Sequence, residues 1–329
     1  MIGYFKERSS LQVPALLLLA ILLKVGYFSA PAQTPAFVAD GGLLSQWLNA
    51  HSAALNNGFI RVVGIIALMA SVIYAGFVTG NRRMFNQRHV LVPTAMLLFS
   101  SLFPVSNLAL PALLVLPMLI GVFASLTRLY QSEHPRTNIM NAGLLAGMAY
   151  LLYHPFVWWL PGCFIVLAFM RPFRLAEWVL LLAAMLTPAY FVLAIEFLTD
   201  NWHPQQHLPS IGKAVLANNI SWYWWLAVGM ATLWFLVSFA AWQQQTRRMV
   251  IQGRKNWYSL LMMGLLAMPG LFFPHQHMAG MLALLAFPAG CLMANSFASE
   301  GKGIGQLLFF WLLIIVVAIV GWGWKSGVM

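Results

Sequence analysis

The sequence predicts an all-α protein: a polytopic transmembrane helical bundle of about 11 helices, forming a single integral-membrane domain over residues 1 to 329. Three observations predict it. Hydrophobic residues make up 61% of the chain and charged residues only 8%, whereas about 25% of a soluble domain is charged. The apolar residues come in long continuous runs without the period-2 alternation of barrel strands, and helices are the other structure that satisfies every backbone group in lipid. Basic residues stand in twos and threes between these runs, as cytoplasmic loops of membrane proteins do. The net charge of +11 is therefore spread among loops rather than gathered on one face, which excludes nucleic acid as a partner and leaves membrane lipids.

A hydrocarbon core of about 30 Å needs roughly 20 helical residues. The first apolar segment, 11 to 29, follows Lys6 and Arg8, which hold the N-terminus in the cytoplasm. Its basic start and the Ser-Ala-Pro-Ala after it outline a secretory signal, but a run of about 18 apolar residues also spans a bilayer, so a retained helix is expected, with Lys24 snorkelling to the far interface. The outer loop 30 to 57 carries Asp40 and the amphipathic run LLSQWLNAHSAAL, expected as a helix on the membrane surface.

Segments 58 to 79 and 90 to 103 flank the basic loop NRRMFNQRH, and 110 to 128 returns after a turn at Phe103-Pro104. Segments 139 to 153 and 156 to 170 hinge at His154-Pro155; at about 14 or 15 residues each, these and 90 to 103 need a thinned bilayer or burial in protein. After the basic turn at Arg171 and Arg174, segment 176 to 195 ends on Glu196 and Asp200 and opens the second long outer loop, 196 to 221, with His203, His207 and Lys213. Segment 222 to 242 starts Trp222-Tyr223-Trp224-Trp225, while Trp242, Trp257 and Tyr258 lie near cytoplasmic ends; all read as interface anchors. Segments 257 to 273 and 279 to 296 turn at Phe273-Pro274, and 304 to 324 is the last.

Pro117, Pro161, Pro188, Pro269 and Pro288 fall inside apolar runs and are expected to kink them. Gly143 with Gly147, and Gly76 with Gly80, have the spacing that lets helices approach closely. Cys163 and Cys291 sit in apolar segments and read as buried small hydrophobes. With this threading, every Lys and Arg except Lys24, Arg61, Lys213 and Lys325 is cytoplasmic, 14 of 18, and the C-terminus is outside.

Chemistry is expected at the outer end. Six of the eight histidines (His51, His154, His203, His207, His275 and His277) fall there with Asp40, Glu196 and Asp200, against His89 and His134 inside. Asp40, the one acid of the first outer loop, is the candidate catalytic base, and Glu196, at the end of an apolar segment, is the second candidate for proton transfer. Arg61, His154, Asp200 and Lys213 are candidates to hold a substrate, Arg61 because an arginine near lipid needs an anion. His203-x3-His207 and His275-x-His277 are candidate ligands for a divalent metal, although Pro204 and Pro209 oppose a helix at the first pair. Neither G-x-x-x-x-G-K-[ST] nor a strand-borne G-x-G-x-x-G occurs, which speaks against nucleotide hydrolysis.

The opening MIGYFKERSS, the NRRMFNQRH loop and the stretch NAGLLAGMAYLLYHP through RPFRLAEWVLLLAAMLTPAYFVL resemble an uncharacterised family of polytopic inner-membrane proteins of Gram-negative bacteria, a domain of unknown function. The resemblance implies a multi-pass protein of the cell inner membrane and no defined chemistry. More distantly, the chain is similar to C-type integral-membrane glycosyltransferases, through the cytoplasmic N-terminus, the acid-bearing first outer loop with its surface helix, and NIMNAGLLAGMAYLLYHPFVWWLP. That similarity implies Asp40 as the catalytic acid with outer histidines around a polyprenyl-phosphate sugar; the chain departs from it in lacking a second acid beside Asp40. The expected function is a non-enzymatic or degenerate component of cell-envelope processes, partnered by other envelope proteins. The alternatives are a glycosyltransferase using a polyprenyl-phosphate-linked sugar at the outer face, and a small-molecule transporter built on the short proline-broken hairpins; the outer histidines also raise a His-iron membrane oxygenase.

Overall fold

The computed structural model describes residues 12–29, 41–51, 57–82, 84–85, 90–130, 132, 134–200, 202, 204–208, 221–246, 249–272, 277–298 and 304–325, among which all regular structure is helical. Each apolar segment expected from the sequence corresponds to a helix, and the amphipathic run forms a short one of its own. In chain order they are α1 (Gln12–Ser29), α2 (Leu43–Ala50), α3 (Asn57–Asn81), α4 (Leu91–Leu102), α5 (Leu110–Thr127), α6 (Pro135–Leu152), α7 (Leu160–Met170), α8 (Leu175–Leu198), α9 (Trp222–Thr246), α10 (Ile251–Ala267), α11 (Met278–Met293, carried on by the turn Asn295–Ala298) and α12 (Ile304–Lys325). Six of them, α3, α5, α8, α9, α12 and α11 with its extension, are long and apolar enough to cross a membrane, and Leu91–Leu102 and His154–Met170 are shorter apolar stretches.

The innermost elements are α4, whose residues are all buried, and the largely buried α5 and α11, with α11 packed against both of the others. Phe123 of α5 meets Phe287 of α11 edge to face, ring centroids 5.5 Å apart, and Gly290 of α11 lets the backbone of Met96 on α4 come close. Polar side chains in this interior bond back to their own helices: Thr94 to the carbonyl of Val90, Ser101 to that of Leu97, Thr127 to that of Phe123. Such back-bonding satisfies a hydroxyl without a partner from another element. The outermost helices are apolar on their exposed sides as well, with Leu18 and Ile21 on α1, Tyr190 and Phe191 on α8, Leu236 on α9 and Leu308 and Ile315 on α12 all exposed. A face of this kind has lipid, not water, as its natural solvent.

Prolines set the hairpins. Pro104 opens the 3-10 turn Pro104–Leu108 between α4 and α5, and Pro155 sits in the turn His154–Trp159 between α6 and α7. Of the five prolines expected to kink helices, Pro117, Pro188 and Pro288 lie inside α5, α8 and α11. Pro161 instead stands in the first turn of α7, where its missing N–H costs nothing, and Pro269 in the turn Met268–Leu271 that ends α10. The glycine pair on α6 packs against the proline-bearing middle of α8. A methyl on Gly147 would overlap the carbonyl oxygen of Met185 and stand 3.1 Å from Pro188 Cδ, and one on Gly143 would stand 2.5 Å from Ala184 Cβ. Gly76 of α3 meets Pro93 of α4 in the same way.

Two expectations need correction. Lys24 does not snorkel: it is 2% exposed, drawn inward from α1 toward the tip of the α4–α5 hairpin. Nor are Trp242 and Trp257 interface anchors: both are buried, and the Trp257 indole N–H donates to the carbonyl oxygen of Met84 at 2.8 Å. Trp222 and Trp225 at the start of α9 are exposed, as anchors would be. Both cysteines are buried and free.

Candidate functional site

At one end of the bundle, the end bearing His154, three chain segments bring titratable side chains together. The first is the end of α6. Tyr153 is extended there (φ −144, ψ 98) and ends the helix, and His154 begins the 3-10 turn that Pro155 continues. The His154 side chain is buried, and Tyr150, one turn earlier, places its ring 5.4 Å from the imidazole centroid. The second segment is the last turn of α8, which carries Glu196. The third is the turn Pro204–His207, which brings the chain back over α8.

His207 closes the cluster. Its Nε2 lies 2.6 Å from Glu196 Oε1, its carbonyl oxygen accepts from the Tyr150 hydroxyl at 2.7 Å, and its ring stands perpendicular to that of His154 with centroids 6.4 Å apart. A carboxylate only accepts, so Nε2 carries the proton of this pair and the lone pair of the neutral imidazole is on Nδ1. That Nδ1 and Glu196 Oε2 are both buried, with no hydrogen-bond partner among the described residues. A buried polar atom left open in this way is where a substrate group or an ion would bind, and a carboxylate that orients an imidazole is the arrangement of general bases and of metal-binding histidines alike.

A second cluster lies alongside. Gly42 precedes α2 with φ +108, a conformation suited to glycine, and a methyl there would stand 2.6 Å from the carbonyl oxygen of Leu152, so the start of α2 lies on the end of α6. The same approach puts Gly41 3.8 Å, measured from the position of an added Cβ, from His277 Cε1. Tyr153 donates to the carbonyl oxygen of His277 at 3.4 Å, with the rings perpendicular and 6.0 Å apart.

Of the candidates from the sequence, Glu196, His154 and His207 converge, and His277 sits beside them through Tyr153. Asp40, His203, Lys213 and His275 lie outside the described residues. Arg61 is half-buried near the start of α3, next to Ile60, which packs on Leu48 of α2 and Leu110 of α5. Asp200 is exposed just past α8, at φ 53, and makes no salt bridge among the described residues. Among those residues no group of three or more His, Cys, Asp or Glu side chains is placed to hold a metal ion.

Two parts of this end were not singled out from the sequence. Tyr150 stands four residues before His154, a spacing that puts two side chains on one helical face and would have flagged it. The other is the seat of Lys24. Its ammonium donates to Ser100 Oγ and to Asn107 Oδ1, each at 2.9 Å, while the Asn107 amide donates to the carbonyl oxygens of Ser100 and Pro104 at 3.0 and 3.1 Å. Asn107 thereby ties the hairpin tip and ligates the lysine at once. A lysine breaking an apolar run was the available signal. Comparison with family models, with curated proteins and with solved structures finds no match.

Proposed function

We propose that the chain is a multi-pass protein of the inner membrane with a cytoplasmic N-terminus, acting in the cell envelope through an outer end where His207, oriented by Glu196, accepts a proton. The placement is supported by which tips meet. Gly41 approaches His277, Gly42 approaches Leu152, Gly270 approaches Trp158, and Gly323 approaches Tyr223, all residues the charge pattern puts outside. Arg82 bonds to Ala124 and Asn256, and Lys255 covers Tyr130, all residues it puts inside. In each pair both members share a side, which a helix missing from the threading would spoil.

The observation that carries the proton-accepting reading is a buried Nδ1, without a hydrogen-bond partner among the described residues, on an imidazole whose other nitrogen is held by a carboxylate. Such a base fits transfer of a sugar from a polyprenyl-phosphate lipid to an acceptor hydroxyl: Nδ1 takes the hydroxyl proton, the oxygen attacks the anomeric carbon, and the lipid phosphate leaves. A non-enzymatic envelope component is the second reading. It is favoured by the salt bridges, because among the described residues Glu196 pairs with His207 and no Lys or Arg joins them to receive a lipid phosphate. The transporter reading draws least support, since the interior between α4, α5 and α11 is filled by Met96, Phe123 and Phe287.

Complementation of a deletion strain, scored by envelope permeability, separates the two leading readings. Glu196→Gln and His207→Ala are expected to fail at wild-type membrane abundance while Thr199→Ala, on the same turn, complements. Full complementation by both would refute proton acceptance and leave the non-enzymatic component. Placement is tested separately with single cysteines at Gln205 and Arg174, both exposed, since the native cysteines are buried. An impermeant maleimide is expected to label position 205 in intact cells and position 174 only after permeabilisation.

A further inference from the structure

At the opposite end of the bundle the ends of α3, α5 and α10 meet. Arg82, directly after α3, donates from Nη2 to the carbonyl oxygen of Ala124 on α5 at 2.9 Å. Its own carbonyl oxygen accepts from Asn256 Nδ2 of α10 at 2.9 Å, so the arginine is held from both sides. Arg128 follows the last residue of α5, and Lys255 of α10 places its ammonium 4.8 Å from the centre of the Tyr130 ring. Among the described residues the salt bridges are Arg171–Glu177 and Glu196–His207, so none of these three cations has a carboxylate within reach there. Arg82 Nε is buried and has no hydrogen-bond partner among the described residues.

We propose that this corner binds a phosphate group, held by Arg82 and Arg128 and approached by Lys255. A cation at a helix C-terminus gains from the helix dipole, which accounts for one arginine at the end of α3 and another at the end of α5. It does not account for two guanidiniums being brought together, nor for a buried guanidinium N–H left open. Burial first, and Arg128 second, press the Arg82 guanidinium below its ordinary pKa, an unfavourable arrangement that an anion between them reverses. A phosphate oxygen is the acceptor that suits a guanidinium fork. With the N-terminus in the cytoplasm the corner faces that side, where two sources present the group: anionic phospholipid of the inner leaflet, and soluble phosphate. The proposal is independent of the outer proton site.

The test uses the full chain purified in detergent. Native mass spectrometry counts phosphatidylglycerol and phosphatidylethanolamine retained during stepwise delipidation, and thermal unfolding is followed with and without inorganic phosphate. Variants are Arg82→Gln, Arg128→Gln and, as a control that removes the same charge from another loop, Arg174→Gln. Retention of phosphatidylglycerol that falls at least about tenfold in Arg82→Gln and Arg128→Gln but not in Arg174→Gln establishes a lipid phosphate. Stabilisation of wild type and Arg174→Gln by inorganic phosphate, lost in the other two, establishes a soluble one. Arg128 is exposed, so its variant remains informative if Arg82→Gln does not fold. Equal lipid retention in all four proteins with no phosphate-dependent shift overturns the proposal.

Discussion

Gly147→Ala is the sharpest test of how α8 is seated. A Cβ at this position would stand 3.0 Å from the carbonyl carbon of Met185 and 3.1 Å from Pro188 Cδ, with the Met185 oxygen closer still. Carbon pairs rest at about 3.5–4.0 Å, so α8 must retreat from α6 by roughly 0.5–1 Å, and because the obstacle is backbone and a ring, no side chain can swing aside. Overpacking of this kind costs about 1–3 kcal/mol. The same substitution raises intrinsic helix stability by about 1 kcal/mol, so the control is Gly229→Ala on α9, where an added methyl meets nothing within 4 Å. Thermal unfolding in one detergent, followed by tryptophan fluorescence, should place Gly229→Ala at or above wild type and Gly147→Ala clearly below Gly229→Ala. If the two melt together, the helices are not in the contact described and the position of Glu196 two turns beyond Pro188 loses its support.

Substitutions at three further places probe other elements. Lys24→Met should be close to neutral in the same melts, because it removes a buried ion along with its bonds, whereas Asn107→Ala should cost about 1.5–3 kcal/mol by taking one of two acceptors from the ammonium and the amide ties from the hairpin tip; the double variant should recover only the part that the ammonium contributes, and strictly additive effects would refute the pairing. Asp200→Gly should raise stability by about 0.5–1 kcal/mol, since it relieves a left-handed residue at the end of α8, and an unchanged or lower melting point would count against strain there. Trp257→Phe should lower stability by about 1 kcal/mol through the lost bond to Met84, an effect absent from Trp222→Phe, whose indole is exposed.

Helix positions were legible because an apolar run and its loop charges are local properties. Leu110–Thr127 and Ile304–Lys325 are bounded within a few residues of where the runs stop. The small-residue spacing of Gly143 and Gly147 was likewise read as packing, and α8 fills it. What the sequence conceals is which interior a residue faces. Lys24 and Trp257 look like interface residues because each lies near the end of a run, yet both are drawn inward by acceptors 76 or more positions away in the chain: Ser100, Asn107 and Met84. The site was legible in part for the same reason. Glu196 and His154 stand out as polar residues ending apolar runs, but the pairing with His207 depends on a turn after α8, and the contribution of Tyr150 on a long-range bond to that turn. The prolines divide similarly: composition marks them, and whether one kinks a helix or starts one depends on where the neighbouring turn falls.

The seat of Lys24 also bears on how the chain is made. Ser100 and Asn107 follow the lysine by 76 and 83 residues. At about 5–20 residues per second of synthesis, roughly 4–17 s separate the emergence of the ammonium from that of its second oxygen. For that interval α1 carries a charge with no protein partner, and its stable state is near water or a phosphate headgroup rather than at depth. A helix made before the α4–α5 hairpin thus settles only after it, and the hairpin tip at Pro104–Leu108 is the event that lets it.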